Sequence, residues 1–469
     1  MRHNLTWASE RYGAPESGMD YQKLIAEELR RRRIRLVVID DDPTGIQTVH
    51  GCLLLTQFTP EWVEAALDDA VPFFYMLVNS RALTEAQARQ VVREAVEAVL
   101  AANRQRGYNL LFVSRSDSTL RGHFPAESDT ISEVLAEQGL QCVMPTLFVP
   151  AFFEAGRMTI EGIHYMASGE ELIPVNETEF ARDNVFGYQN AELVAYILEK
   201  GKGAISRERV SHASLRSLRM LQPDQLAQQL AATGRDQIVA FDALDYRDLR
   251  KLSLAILAQF DPNGTSQCGV IRSSSSLPKA LSGIEERGYV AAENEGARGV
   301  VIVGSHVKKS TEQLMYLLEG EGVQGIEIDV EAILNDDPLL QERLLQEAAA
   351  CHAQGITPVL YTSRREVRCD DAAKRQALGG KISQCLVQLV KALPFRPDFL
   401  VSKGGITSHD ILTHSLGIRC ARVEGQAAAG IPTIRTSAED RFPNLRYIIF
   451  PGNVGSVTSL REVVDRLRG

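Results

Sequence analysis

The sequence predicts an α/β protein of two domains, each a mostly parallel sheet flanked by helices, with an active-site cleft between them. Three observations lead there. The chain has 469 residues, more than one hydrophobic core comfortably organises. Short apolar runs alternate with longer amphipathic stretches nearly throughout, which is the pattern of βαβ units. A Ser-, Gly-, Glu- and Ala-rich stretch at 273–297 separates two such series. The expected organisation is an N-terminal extension over 1–33, a first domain over 34–285 and a second over 286–469.

In the first series IRLVVID (34–40), FFYMLVN (73–79), LLFVSR (110–115), QCVMPT (141–146) and QIVAFDA (237–243) have the length and β-branched content of buried strands. Residues 84–105 form a helix between two of them, with Ala86, Val91, Val92, Ala95, Val96 and Val99 at helical spacing. The basic run Arg30–Arg33 suits the closing turn of a helix just before the first strand. Residues 272–299 are expected to form a loop. The second series is GVVIVGS (299–305), GIEIDV (325–330), TPVLYTS (357–363), FLVSKGG (399–405) and YIIFPGN (447–453). Ligands collect at the carboxyl ends of such strands, so the strand-to-loop junctions carry the chemistry.

A formal charge of −9 and a pI near 5.6 argue against bulk nucleic-acid binding, which calls for a basic face. Seven scattered cysteines, Cys52, Cys142, Cys268, Cys351, Cys369, Cys385 and Cys420, include no Cys-x-x-Cys pair and suit free thiols in the cytoplasm. No apolar run reaches the ~18 residues of a membrane span, and the first twenty residues lack the apolar segment of a signal peptide.

The first junction, Asp40-Asp41-Asp42-Pro43-Thr44-Gly45, sets three acids at one strand end. Their repulsion must be offset by a metal, a proton or basic neighbours, and a plain turn needs only one Asp. The second junction brings Asn79, Ser80 and Arg81. The third packs Arg115, Ser116, Asp117, Ser118, Thr119, Arg121 and His123 into SRSDSTLRGH (114–123). Arginines on neighbouring strand ends suit a carboxylate, because guanidinium pairs with it through two parallel hydrogen bonds. His123 is either an acid–base group or a donor that braces its loop.

Three Gly-rich junctions follow in the second half: Gly304-Ser305, Gly404-Gly405 with Ile406, Thr407 and Ser408, and Gly452-Asn453-Val454-Gly455. Glycines let backbone N–H groups approach phosphate oxygens. A lone glycine at a strand end more often serves a tight turn; three such junctions in one domain reinforce one another. The chain has no G-x-x-x-x-G-K-[ST] and no G-x-G-x-x-G, and no protein-kinase H-R-D and D-F-G pair or G-x-S-x-G elbow. P-loop ATPases, fingerprint dehydrogenases and α/β-hydrolases are therefore disfavoured.

Taken together, IDDDPTG (39–45), SRSDSTLRGH (114–123), PAFFEAGRMTIEGIHYM (150–166), ETEFARD (177–183), Gly304-Ser305 with Thr311, KGGIT (403–407) and PGNVG (451–455) resemble the four-carbon acid sugar kinase family, in that family's order. The resemblance implies an acid-sugar-binding first domain, a nucleotide-binding second domain, and ATP with Mg²⁺ as cofactors. It further implies phosphorylation of the terminal hydroxyl of a threonate, erythronate or 3-oxo-tetronate type acid. By matching motif, Asp41, Asp42, Arg81 and Arg115 to Ser118, with Arg121, would touch the acid. Ser305, Gly404, Gly405, Ile406, Thr407, Gly452, Asn453 and Gly455 would touch ATP. Asp41, Asp42 or Asp117 would activate the acceptor hydroxyl, and a homodimer is compatible with the family. The chain departs from relatives at Arg115-Ser116, where Lys is common, at His123, where Asn is common, and at Asn184, where Pro is common. The rival readings are an oxidoreductase or aldolase acting on phosphorylated sugar acids, and a non-catalytic acid-sugar sensor.

Overall fold

The computed structural model describes residues 3–12, 20–364 and 372–469. The chain divides into two compact units, Met1–Glu286 and Arg287–Gly469. Cys369 lies outside the described residues; the six described cysteines are free thiols. No described helix is long and apolar enough to cross a membrane.

The first unit is built on eight parallel strands. Their order across the sheet is Val210–Ala213, Ile238–Phe241, Thr146–Val149, Cys268–Ser273, Asn109–Arg115, Ile34–Asp40, Phe73–Leu77 and Leu53–Leu55. Strands this apolar on both faces must be covered on both sides, and helices do so. Helix Tyr21–Arg31 buries Ile25 and Leu29 and closes on Arg30 and Arg31, as the basic run implied. Helix Glu85–Asn103 opens with a capping box in which Thr84 and Gln87 satisfy each other's backbone. Its buried stripe runs through Ala88, Val92, Ala95, Val96 and Val99, so Ala88 rather than Ala86 faces the core.

Two expectations shift. The strand placed at 141–146 is Thr146–Val149 instead, because QCVMP carries a proline that cannot donate to a ladder, while TLFV can. The stretch expected to be a loop from 272 begins inside the strand Cys268–Ser273 and continues as helix Ser276–Ser282. Ser273, Ser274, Ser275 and Ser276 are fully buried. Serine reads as surface in a sequence, but here the hydroxyls of Ser273, Ser275 and Ser276 bond to backbone and side chains of neighbouring segments, as in Ser273 Oγ to the Val149 carbonyl at 2.9 Å.

A small antiparallel sheet, unseen in the sequence, joins His3–Asn4, Glu171–Pro174, Ile163–Ser168 and Arg157–Ile160. It packs Met158, Ile160, Tyr165 and Leu172 around Ala8.

Among the described residues the second unit has seven strands, in the order Cys420–Ala428, Ile431–Arg435, Arg446–Phe450, Phe399–Lys403, Gly299–Val303, Thr357–Thr362 and Val323–Ile328. The last five are parallel and the first two antiparallel. Helices Lys308–Leu318 and Ser459–Arg468 bury Leu314, Leu317, Leu460, Val463 and Val464 against the core that Val301, Val401 and Ile448 share.

Candidate active site

In the first unit the strand Ile34–Asp40 lies between Asn109–Arg115 and Phe73–Leu77, with Asp40 in register with both Arg115 and Leu77. Three loops thus leave the sheet side by side, at the edge where open α/β sheets bind ligands. Their backbones are tied together: Asp41 N donates to the Arg115 carbonyl at 3.2 Å, and Arg81 N to the Asp41 carbonyl at 3.3 Å.

The side chains converge on Asp41. Arg81 holds its carboxylate through two bonds, Nε–Oδ2 at 3.0 Å and Nη2–Oδ1 at 2.6 Å. Arg115 Nη1 reaches Asp41 Oδ1 at 3.1 Å and Asp40 Oδ1 at 3.2 Å, and its Nη2 donates to Ser275 Oγ at 3.0 Å. Ser116 Oγ donates to Asp41 Oδ2 at 2.7 Å. Burial alone would lift the Asp41 carboxyl, but the Arg81 and Arg115 guanidiniums outweigh it and hold it below the ordinary carboxylate range.

Asp40 goes the other way. Burial, with the Asp41 and Asp42 charges beside it, outweighs Arg115 and the Asp42 N–H and pushes its carboxyl up to about 8. Of the three offsets that the acid run required, the described residues thus supply two: basic neighbours for Asp41 and a retained proton on Asp40. Asp42 is the most open of the three, with 19% of its side chain exposed. Its Oδ1 accepts from Thr44 N at 2.8 Å, closing the turn, and its Oδ2 stands 3.4 Å from Arg81 Nη1.

Gly45 is fixed by this packing. A Cβ there would stand 1.9 Å from Asp40 Oδ2, in a site with no room to give. Gly45→Ala is expected to lower the unfolding free energy by about 1–3 kcal/mol, read as a lower denaturant midpoint at unchanged slope.

The loop after Arg115 forms a second, linked cluster. Arg121 Nε donates to Asp117 Oδ2 at 2.7 Å, its guanidinium lies 4.9 Å from the Phe180 ring centroid, and Nη1 is 3.8 Å from Asp183. Burial acts to raise Asp117, and Arg81 and Arg121 hold it well below the usual carboxylate range instead. Ser118 is buried, and its carbonyl accepts from His164 Nε2 at 2.8 Å. A carbonyl cannot donate, so that nitrogen carries the proton and Nδ1 accepts from Thr159 Oγ1 at 2.9 Å. The neutral ring agrees with burial pushing His164 down to about 4. His123 Nε2 likewise donates to the Leu83 carbonyl at 2.9 Å and braces the loop.

In the second unit Gly304, Ser305, Gly404, Gly405, Ile406, Thr407, Gly452 and Asn453 line one cavity of about 440 Å³, whose far side is Ile382, Ser383 and Leu386 of helix Ala372–Ala392. Two glycines are required there. A Cβ on Gly304 would stand 2.2 Å from Thr407 Oγ1, and Gly404 sits at φ +118°, where L side chains are strained. Ile406, which lines the cavity, is 74% exposed. Gly455, at φ +85°, lies outside this lining and packs on Ser459.

Several participants carried no sequence signal of their own. Ser275 anchors Arg115. Glu127, buried, accepts from Ser80 beside Arg81. Arg364 donates to the carbonyls of Ser305 at 2.7 Å and Val303 at 3.2 Å. Lys403 is fully buried, its Nζ on the carbonyls of Pro451 at 2.6 Å and Gly452 at 3.1 Å. Burial, with Lys309 nearby, pushes its ammonium down to about 7. His164 and Lys403 fall inside motifs that resemble the family, which was the one available pointer to them.

Comparison with known proteins follows the same division. Residues 36–281 match the family described as the sugar-binding N-terminal domain, and residues 300–460 the one described as the nucleotide-binding C-terminal domain. A D-threonate kinase of Bordetella bronchiseptica is 31% identical over 228 residues, 47% of this chain and 49% of that protein. A D-erythronate kinase of Heliobacterium modesticaldum is 27% identical over 317 residues, 64% of each chain. The chain belongs to the four-carbon acid sugar kinase family. The matches span about half of the threonate kinase and just under two thirds of the erythronate kinase. A 3-oxo-tetronate kinase of Cupriavidus necator is 25% identical over 334 residues, 69% of this chain and 72% of that one. The family fold extends to a Haemophilus influenzae protein (TM-score 0.64, 17% identity, 92% of this chain and 100% of that one). It extends also to a Salmonella typhimurium protein (TM-score 0.65, 15% identity, 91% and 98%).

Proposed function

We propose that the chain is an ATP-dependent kinase that phosphorylates the terminal hydroxyl of a four-carbon acid sugar. The observation that carries this reading is the pairing of two sites of different chemistry within one family member. The N-terminal unit has arginines and acids at three adjacent strand ends. The C-terminal unit has a glycine-walled cavity fit for phosphates.

In this reading Arg81 and Arg121 are the cations exposed enough to receive the acid's carboxylate, while Arg115 and Ser116 act by holding Asp41. Asp117 and Ser118 shape the wall of the pocket. Asp42 is the general base. Asp41 already accepts four donors, two from Arg81 and one each from Arg115 and Ser116, which leaves it a poor proton acceptor; Asp42 has an oxygen to spare. The acceptor oxygen bonds to the γ-phosphorus of ATP, the bond from that phosphorus to the β–γ bridging oxygen breaks, ADP leaves, and the proton goes to Asp42.

Ser305, Gly404 to Thr407, Gly452 and Asn453 hold ATP. Among the described residues no three His, Cys, Asp or Glu side chains converge on a metal position. Mg²⁺ needs no such cage when it arrives on nucleotide phosphates with its own waters. There it supplies charge neutralisation, and the chain's own part in the reaction is positioning.

ADP release measured against stereoisomeric threonates, erythronates and 3-oxo-tetronates tests the proposal. Turnover with one stereoisomer well above the others is expected. A flat response to all of them, with ATP bound, would remove the substrate class.

A further inference from the structure

Lys403 is the least expected group in the second unit. It is a lysine with no exposed surface at the end of a central strand, and Nζ lies 4.3 Å from the Phe450 ring centroid. Burying an ammonium is costly unless its hydrogens are used. Two of them are: Nζ donates to the carbonyls of Pro451 and Gly452, consecutive peptide groups of the loop after Arg446–Phe450. Ser310 Oγ donates to the same Gly452 carbonyl at 3.0 Å. Nζ keeps at least two hydrogens in either protonation state, so both carbonyls stay occupied across neutral pH.

Fixing a carbonyl fixes the other end of its peptide. In a trans peptide the N–H points opposite to the C=O. With the carbonyls of 451 and 452 turned into the core, the N–H groups of Gly452 and Asn453 turn outward together. Gly452 and Asn453 line the cavity, and among the described residues neither N–H has an acceptor. Two adjacent, unpartnered N–H groups in a concave wall form an anion-binding nest. The glycine at 452 also lets a ligand approach, since even a Cβ there would meet nothing closer than Ser305 Oγ at 3.4 Å.

We propose that Lys403 is a positioning residue that never touches the nucleotide: by pinning two carbonyls from beneath, it presents the Gly452 and Asn453 N–H groups as a nest for the phosphate chain of ATP. This rests on the nucleotide reading above and deepens it.

The test compares ATP with adenosine, which lacks phosphates, by calorimetric titration of the full chain. Lys403→Met keeps the stem's length and removes the donors. ATP affinity is expected to fall roughly tenfold to a hundredfold, with adenosine affinity unchanged. Equal losses for both ligands, or none for ATP, would overturn the role of Lys403 alone. Failure of the wild-type chain to bind ATP would overturn the nucleotide reading with it. A second measurement needs no folded lysine variant. In ¹⁵N-glycine-labelled wild-type protein the Gly452 amide signal, assigned by its loss in Gly452→Ala, should shift with ATP and stay in place with adenosine. An unmoved signal under saturating ATP counts against the nest.

Discussion

Asp42→Asn is expected to cut turnover by about 10²–10⁴-fold while ATP affinity stays as in the wild type. The substitution isolates proton acceptance from folding. An asparagine Oδ1 still accepts from Thr44 N, the bond that closes the turn at 2.8 Å, and the paired Asp41 network is untouched. What disappears is the anionic Oδ2, which faces only Arg81 Nη1 at 3.4 Å. Steady-state kinetics with the best acid sugar, alongside ATP titration, reads both halves. Turnover near the wild-type rate would return the base to Asp41 or Asp117. Asp41 would then have to give up an arginine bond to accept a proton, and Asp117 would have to work from a carboxyl held low by Arg81 and Arg121.

Arg115→Met should be the most destabilising single change in the first unit, by about 3–5 kcal/mol. Arg115 is 3% exposed and its Nη1 lies between the carboxyl groups of Asp40 and Asp41, which are themselves buried. Removing it leaves Asp41 with only the Arg81 side for compensation. The pH dependence has a definite sign. Asp41's folded carboxyl lies below its unfolded value of about 3.9, so its contribution is present above that pH and lost as the pH falls through the folded value. Wild type and variant should therefore differ most near neutrality and converge in acid. Denaturant unfolding at pH 7 and again at a pH well below about 3.9, where folded Asp41 takes up its proton, checks both statements. A loss of equal size at the two pH values would mean that Arg115 acts through packing rather than charge.

The framework of the fold was legible because buried parallel strands have so few sequence solutions. IRLVVID and GVVIVGS are short apolar runs rich in Val and Ile that stop at polar or Gly residues, which favours a buried strand over a helix segment. The strand ends were legible for the same reason: Asp41, Arg81 and Arg115 are polar groups placed where an apolar run stops. Elements that depend on partners were hidden. The hairpin from Arg157 to Ser168 alternates too little to reveal itself, since its pairing with Glu171–Pro174 supplies what the pattern lacks. Ser273–Ser276 read as a loop because hydroxyl burial is invisible without the acceptors. Within the candidate site, residue types pointed to the chemistry, but division of labour did not. The sequence offered Asp41, Asp42 and Asp117 as alternatives; the donor count on Asp41, the arginines that hold Asp117 low and the exposure of Asp42 separate them. Lys403 was hidden further still, because nothing in KGGIT tells a lysine that meets a ligand from one that lies beneath it.

The ring of His164 has a consequence for anyone redesigning which acid is accepted. It joins the Ser118 carbonyl to a hairpin 46 positions downstream, and both ring nitrogens are engaged, Nε2 as donor and Nδ1 as acceptor. Exchanging only residues 114–123 between two relatives would transplant the side chains proposed to face the acid without the brace that ties their loop to the hairpin. Loop and hairpin form one transferable module, and chimeras should be cut so that both come from the same parent.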